Sequence, residues 1–360
     1  MSHLKILITG ARAPVALELA RRFARAGHVV DLTDSVRFPL AGFSNCVRRT
    51  FRLPPPRQET TEYSKALREL SKSYDLVVPT CEDVLWVSRA IEAFCPSFEL
   101  LKKLHNKYEF SRIAQRLGLL VPETILLESR GQALEILHSA KPTVFKPVYS
   151  RFATHTRVLP RHLDGVYPER ERWVAQEYWP GDHFCSFSIA HGGRLAAHIV
   201  YKPLARLGQG AGVILESVSH PTVDRWVERF LRELSLTGQF AFDFIQNARG
   251  EVAAIECNPR TTSGVHLFGP SQDLAGAYLG PTEGCLIGEP NRRAMLTFPA
   301  LLSSPYQVWK ERPSPILLDR RDPLPFLAQG ISFLEFLWRA RRGGLLEATT
   351  SDICWDGCES

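Results

Sequence analysis

Residues 238–264 read GQFAFDFIQNARGEVAAIECNPRTTSG, and the fold turns on this stretch. Two apolar runs, Phe240–Ile245 and Val252–Cys257, flank the polar link Asn247-Ala248-Arg249-Gly250. Glycine at the end of such a link accepts positive φ without strain, which predicts a hairpin turn with a bulge between antiparallel strands. Side chains alternate between faces along a strand, so Glu256 and Asn258 point the same way. Asp243, on the partner strand, is within reach of that face. Together they offer two carboxylates and an amide oxygen at one point. Hard oxygen donors suit Mg²⁺, which keeps open positions for substrate phosphates. Arg260 follows closely enough to brace a transferring phosphoryl group. The plainer reading is a soluble hairpin with surface carboxylates. Glu256, however, ends an apolar strand, where an incidental acid is unexpected.

The chain has 360 residues, enough for two or three domains and a sizeable core. Apolar content of 44% and charged content of 23% are ordinary for a soluble globular protein. The net charge of +6 is mild for this length and favours anionic small molecules. No block of Lys and Arg marks a nucleic-acid surface, so no nucleic-acid partner is expected. Eight cysteines are scattered without a paired C-x-x-C array, which argues against structural zinc. Cys354 and Cys358 read as part of a frayed tail. With no disulfide framework and no signal peptide, the expectation is a reduced, cytoplasmic protein. No apolar run approaches the roughly 20 residues of a membrane-spanning helix.

The N-terminus reads strand (4–8), helix (15–26), strand (28–32), a Rossmann-like start. Gly10 lacks the glycine partners of a dinucleotide fingerprint, although a Rossmann oxidoreductase stays among the alternatives. Further on, a strand over 75–78 leads into Pro79-Thr80-Cys81-Glu82-Asp83. Ligands collect at such strand ends in open parallel sheets, making Glu82 a candidate substrate contact. A helix N-terminal acid is the equal alternative. Residues 100–117 are expected as one helix, followed by Val121-Pro122. In Thr143-Val144-Phe145-Lys146-Pro147, a lysine sits near the end of an apolar strand, where an ammonium serves as a point charge for phosphates.

Asp243 with Glu256-Cys257-Asn258-Pro259-Arg260 resembles the metal-binding strands of the ATP-grasp ligases, in their carbamoyl-phosphate-synthase-like, carboxylate–amine ligase branch. Asn106-Lys107-Tyr108-Glu109-Phe110 is similar to that family's entry helix, and Lys146 matches its second nucleotide lysine. The resemblance implies that Lys107 and Lys146 contact nucleotide phosphates. It places Tyr149–Thr154 where relatives carry a glycine-rich phosphate loop. There Ser150, Arg151 and Thr154 are the candidate donors. Residues 173–181, including Gln176, match the strand between subdomains, with the backbone of Glu177 and Trp179 pairing the adenine edge. His183 stands where most relatives place a ribose-binding glutamate. A neutral imidazole accepts one hydrogen bond, not the two a carboxylate accepts. Lys202 and Arg206, with Gly208, Gly210 and Gly212, form a basic loop suited to closing over an anionic intermediate, or an ordinary connection. Lys202 and Arg260 are accordingly the candidate catalytic residues.

The implied fold is α/β and α+β. A Rossmann-like domain (1–102) precedes an ATP-grasp domain (103–300, lid about 120–180), which comprises the lid and a larger antiparallel half. A C-terminal extension (301–360) follows. It carries an apolar helix over 326–342, expected mainly to pack on the core, with a dimer face or a peripheral membrane contact as alternatives. The implied activity is a Mg-ATP-dependent ligase, with Mn²⁺ as an alternative ion, joining an acid or enolic substrate to an amine such as an amino acid. The runs at 236–246, 254–261 and 318–327 resemble the mycosporine-glycine synthetases, which activate an enolic oxygen. A nucleotide-binding pseudoenzyme is the competing function, motivated by His183 and the glycine-free loop. A homodimer is an open expectation.

Overall fold

The chain begins with alternating strands and helices in the computed structural model, which describes residues 3–139, 141–150, 155–207, 210, 212–281, 283–342 and 344–357. Strands β1 (Lys5–Thr9), β2 (Val29–Asp34), β3 (Arg49–Arg52) and β4 (Leu76–Pro79) form a parallel sheet in the order β3-β2-β1-β4. Ile6, Leu7 and Ile8 are fully enclosed, as expected of a parallel strand covered on both faces. Helix α1 (Pro14–Arg25) starts on Pro14, whose missing N–H is harmless there. Helices α2 (Thr60–Ser71) and α3 (Val84–Ala90) complete this unit.

The helix expected over 100–117 is two helices, α4 (Phe98–His105) and α5 (Lys107–Arg116). Asn106 breaks it. Its extended backbone leaves the first helix, and its side chain accepts from the N–H groups of Tyr108 and Glu109, capping the second. A small antiparallel sheet follows: β5 (Thr124–Leu126), β6 (Thr143–Pro147), β7 (Arg157–Val158) and β8 (Trp173–Glu177), in the order β5-β8-β6-β7, with α6 (Arg130–His138) beside it.

The largest sheet holds β9 (Asp182–His191), β10 (Arg194–Arg206), β11 (Gly212–Val218), β12 (Gly238–Gln246) and β13 (Val252–Asn258). Its order is β13-β12-β9-β10-β11, extended by the short β15 (Arg293–Met295) and β16 (Ser314–Pro315), with β14 (Leu286–Ile287) beside β10. Helix α7 (Pro221–Glu233) buries Val223, Trp226, Val227, Phe230 and Leu231, a stripe of helical period. That stripe meets Phe240, Phe242 and Phe244 of β12 and Phe110 of α5. The aromatic layer claims one whole face of β12, so Asp243, between two buried phenylalanines, emerges on the other.

Helices α8 (Leu274–Leu279), α9 (Thr297–Ser303), α10 (Pro305–Glu311), α11 (Leu324–Leu327), α12 (Gln329–Arg339) and α13 (Leu345–Ala348) complete the chain. The helix expected over 326–342 is divided between α11 and α12 and does not sink into the core. Phe333, Leu334, Leu337 and Trp338 are exposed, and Ser332 is the buried residue of α12. The tail after α13 is ordered against the N-terminal sheet. Trp355 packs edge-on to Trp86 and Phe98, and Trp86 Nε1 donates to Ile353 O. Among the described residues, no helix is long and apolar enough to cross a membrane, and Cys46, Cys81, Cys95, Cys185, Cys257 and Cys285 are free thiols.

Candidate active site

The hairpin turn forms as its composition dictates. Asn247 N–H donates to Glu251 O, and Gly250 adopts a φ of 79°. Register then decides the chemistry. From the turn, Gln246 pairs with Val252, Ile245 with Ala253 and Phe244 with Ala254, but Asp243 pairs with Glu256. Ile255 is an extra residue in β13. Without this bulge Glu256 would stand opposite Phe242 and point into the aromatic layer. With it, Glu256 and Asp243 face each other on the open side, while Cys257 takes the core position opposite Phe242. Strict alternation does not place Glu256 on the Asp243 face; the bulge does.

The predicted metal ligands therefore converge. Asn258 Nδ2 donates to Asp243 Oδ2 and to Glu256 Oε1, each at 3.2 Å. Its Oδ1 accepts from Arg260 Nη2 at 3.3 Å. Turning the amide over would bring its oxygen toward the carboxylates. Burial, and then the charge of Glu256, hold the Asp243 carboxyl above its ordinary range. Burial also pushes Glu256 up, but Lys107 and Lys146 outweigh it and hold its carboxyl below the usual value. Two facing carboxylates beside an amide oxygen suit a hard divalent cation, whose charge would relieve their mutual repulsion.

Both predicted lysines reach this point. Lys107, on the first turn of α5, is 3% exposed, and its Nζ lies 3.6 Å from Glu256 Oε2. It also donates to Ser150 O and Oγ at 3.1 and 3.2 Å, which brings Ser150 beside it. Lys146, 8% exposed, donates to Gln176 Oε1 at 2.7 Å. Burial drives the Lys146 ammonium down to about 8, against the pull of Glu256 and Asp243. The side chain of Gln176 is thus occupied. It holds Lys146 on one end, and its Nε2 donates to Thr124 Oγ1.

The Glu177 N–H is taken by Glu123 O, leaving only its carbonyl for an adenine edge. Trp179 follows β8 and is half-buried. His183 lies on the Asp243 side of β9, since it stands two residues from Cys185, which pairs with Asp243. Although His183 is exposed, partial desolvation by its neighbours, then the charges of Arg206 and Lys146, lower its imidazole to about 4. It is neutral at pH 7 and has one acceptor nitrogen to offer a ribose.

Lys202 is a correction. It pairs with Glu216, its Nζ 3.2 Å from Glu216 Oε2, and Arg293 shares that carboxylate. The neighbouring Tyr201 stands opposite Cys185 and hence on the Asp243 side, so alternation turns Lys202 to the other face. Arg151 and Thr154 of the expected phosphate loop, Gly208 of the expected basic loop, and Cys358 lie outside the described residues.

Arg260 reaches beyond its own sheet. Its Nη2 lies 2.6 Å from Glu82 Oε1, in the loop after β4. Glu82 is buried, and His105 Nε2 lies 3.8 Å from its other oxygen. Burial lowers His105 to about 4 despite Glu82, so the histidine is neutral, and Arg260 sets a positive charge beside Glu82. The loop expected to touch substrate thus positions the arginine at the hairpin of Asp243 and Glu256. Sequence reasoning missed this pairing because nothing local links positions so far apart.

The Rossmann-like turn is filled by the chain itself. A Cβ on Gly10 would lie 2.7 Å from Cys81 Cβ. Arg12 is gripped by Asp34 and by Asp352 of the tail, each at 2.6 Å. The strand ends that hold a pyrophosphate in dinucleotide enzymes are occupied by this network.

No family model and no curated protein sequence matches the chain. Solved structures do. The N5-carboxyaminoimidazole synthetase of Staphylococcus aureus, solved with ADP, superposes with a TM-score of 0.65 at 12% identity, over 81% of this chain and 82% of that one. An L-amino acid ligase from Bacillus licheniformis gives 0.62 at 16% identity, over 78% and 73%. A biotin carboxylase from Campylobacter jejuni gives 0.61 at 16%, over 77% and 70%. The parallel N-terminal sheet, the small antiparallel sheet and the large antiparallel sheet are the parts of one architecture: the chain has the ATP-grasp fold.

Proposed function

We propose that this chain is an ATP-dependent ligase that phosphorylates a carboxylate or enolic oxygen and couples the activated group to an amine. One observation carries the reading: two buried lysines converge on the paired carboxylates of Asp243 and Glu256, with Lys107 3.6 Å from Glu256. Buried cations facing a carboxylate pair suit a polyphosphate and its metal ion together. Mg²⁺, or Mn²⁺ in its place, would be held by Asp243, Glu256 and the Asn258 oxygen, and would supply positive charge to the β- and γ-phosphates.

In this reading Lys107, Lys146 and Ser150 hold the phosphates. Gln176 fixes Lys146, the backbone of Glu177 and Trp179 meets the adenine edge, and His183 accepts from a ribose hydroxyl. The substrate oxygen attacks the γ-phosphorus as the bond to the β-phosphate oxygen breaks and ADP leaves. Arg260, held by Glu82, donates to the oxygens of the transferring group. The amine nitrogen then attacks the activated carbon, phosphate departs, and the nitrogen loses a proton. Catalysis is positioning and charge stabilisation.

The division into an N-terminal domain (1–102), an ATP-grasp domain (103–300) and an extension (301–360) belongs to the same proposal, as does a cytoplasmic location. The choice between an acid and an enolic substrate rests on resemblance to the mycosporine-glycine synthetases. Part of that resemblance, 318–327, serves packing rather than the cleft: Asp322 is buried against Arg21, and Asp319 pairs with Arg25, both on α1. Nucleotide binding without turnover is the second reading, favoured by the single acceptor that His183 offers. Calorimetry with Mg-ATP, followed by a screen of acids and enolic ketones against amino acids read as ADP release, tests the proposal. ADP release that depends on the amine excludes the second reading.

A further inference from the structure

Helix α12 is inverted. The residues facing the protein body make polar contacts: Ser332 Oγ donates to Phe38 O, Glu335 accepts from the N–H groups of Arg37 and Phe38, and Arg339 pairs with Asp352. The outward stripe is apolar. Leu327, Ile331, Leu334 and Trp338 fall at helical spacing, with Leu327 71%, Leu334 65% and Trp338 64% exposed. A helix that merely covers a core shows the opposite arrangement. The stripe is not isolated. Phe326 of α11 stacks on Phe298 of α9, with centroids 6.5 Å apart, and α10 continues the surface with Tyr306 and Trp309, the latter 72% exposed.

Charge identifies what such a surface meets. Every carboxylate between 296 and 342 is paired within the chain: Glu311 with Arg293, Asp319 with Arg25, Asp322 with Arg21 and Glu335 with Arg339. Arg312, Arg320, Arg321 and Arg341 are exposed and, among the described residues, have no acidic partner. Residues 296–342 therefore combine exposed apolar side chains, tryptophan and tyrosine among them, with four exposed arginines that have no acidic partner among the described residues. A second copy would bring the same excess of unpaired arginines and no free carboxylate from this stretch to answer it. A layer of anionic headgroups over hydrocarbon complements both features.

We infer that α9–α12 form a docking surface for the face of an anionic phospholipid bilayer, on which the protein rests without crossing it. The outward side chains enter the headgroup boundary, and the four arginines engage lipid phosphates.

The test is co-sedimentation of the full chain with vesicles of phosphatidylcholine mixed with phosphatidylglycerol, beside vesicles of phosphatidylcholine alone. The expected result is binding to the mixed vesicles that weakens with added salt, and roughly tenfold weaker binding to the neutral ones. Two double variants, Leu334→Ser/Trp338→Ser and Arg320→Ser/Arg321→Ser, each reduce binding by roughly tenfold. All four side chains are exposed, so the melting temperature stays at the wild-type value. Failure of the wild type to sediment with the mixed vesicles overturns the inference, as does wild-type-level binding by both variants. A wild-type dimer in sedimentation velocity that Leu334→Ser/Trp338→Ser converts to monomer also overturns it, by assigning the face to a second copy.

Discussion

Lys107 Nζ lies 3.6 Å from Glu256 Oε2, joining the first turn of a helix to the end of a strand far away in sequence. The carboxylate serves the lysine as counter-ion before any phosphate arrives. Lys107→Ala removes that cation and one phosphate contact. Nucleotide affinity is expected to fall roughly tenfold or more by calorimetry. The loss of stability should be smaller than the roughly 3–5 kcal/mol of a fully buried broken pair. Glu256 remains 21% exposed and keeps Lys146 nearby. Unchanged affinity would remove Lys107 from the phosphate site.

The second lysine predicts a pH dependence. Burial lowers Lys146 to about 8, with Glu256 and Asp243 pulling it up and Lys107 pushing it down. Bound phosphates favour the charged form and raise this value, so binding takes up a proton. Affinity for Mg-ATP is therefore full below about 8 and declines as pH rises through it. Titrations on either side of that value should show the decline in the wild type. Lys146→Met should bind weakly and without it. A flat wild-type profile would contradict the assignment.

Asn106 carries a structural prediction with a functional echo. Its side chain caps α5 by accepting from two backbone N–H groups. Asn106→Ala should destabilise the protein by about 1 kcal/mol in urea unfolding, and Asn106→Asp should retain most of that. Lys107 is the next residue, so the alanine variant should also bind nucleotide more weakly. Full stability in Asn106→Ala would show that the cap contributes nothing.

Glu82 is expected to act through Arg260. Glu82→Gln leaves an acceptor but removes the charge that fixes the guanidinium 2.6 Å away. Turnover should drop roughly tenfold to a hundredfold, with KM for ATP little changed, because Arg260 is assigned to the transferring group. A rise in KM for ATP with constant kcat would instead make the pair part of nucleotide binding.

Much of the site is legible in the sequence because its signals are local. A polar link ending in Gly250 specifies the turn, and Lys146 in an apolar strand stands out as a charge with no structural excuse. What escapes are features that interrupt a period. The bulge at Ile255 shifts the alternation by one residue, and no composition rule marks it. The break at Asn106 lies inside a continuous helical pattern, although Asn106 with Glu109 three positions on is the signature of a helix start. Lys202 escapes for a related reason: its stretch is basic, but alternation after Tyr201 in β10 turns it to the far face. The apolar tail helix reads as core from its composition. Only the fold shows that its polar residues face inward.

The most direct measurement of the central claim is amine-dependent ADP release, compared between wild type, Glu256→Gln and Lys146→Ala. Turnover is expected in the wild type with an acid or enolic ketone and an amino acid. No detectable ADP is expected from either variant, each folded by circular dichroism. Wild-type turnover that persists unchanged in both variants would contradict it.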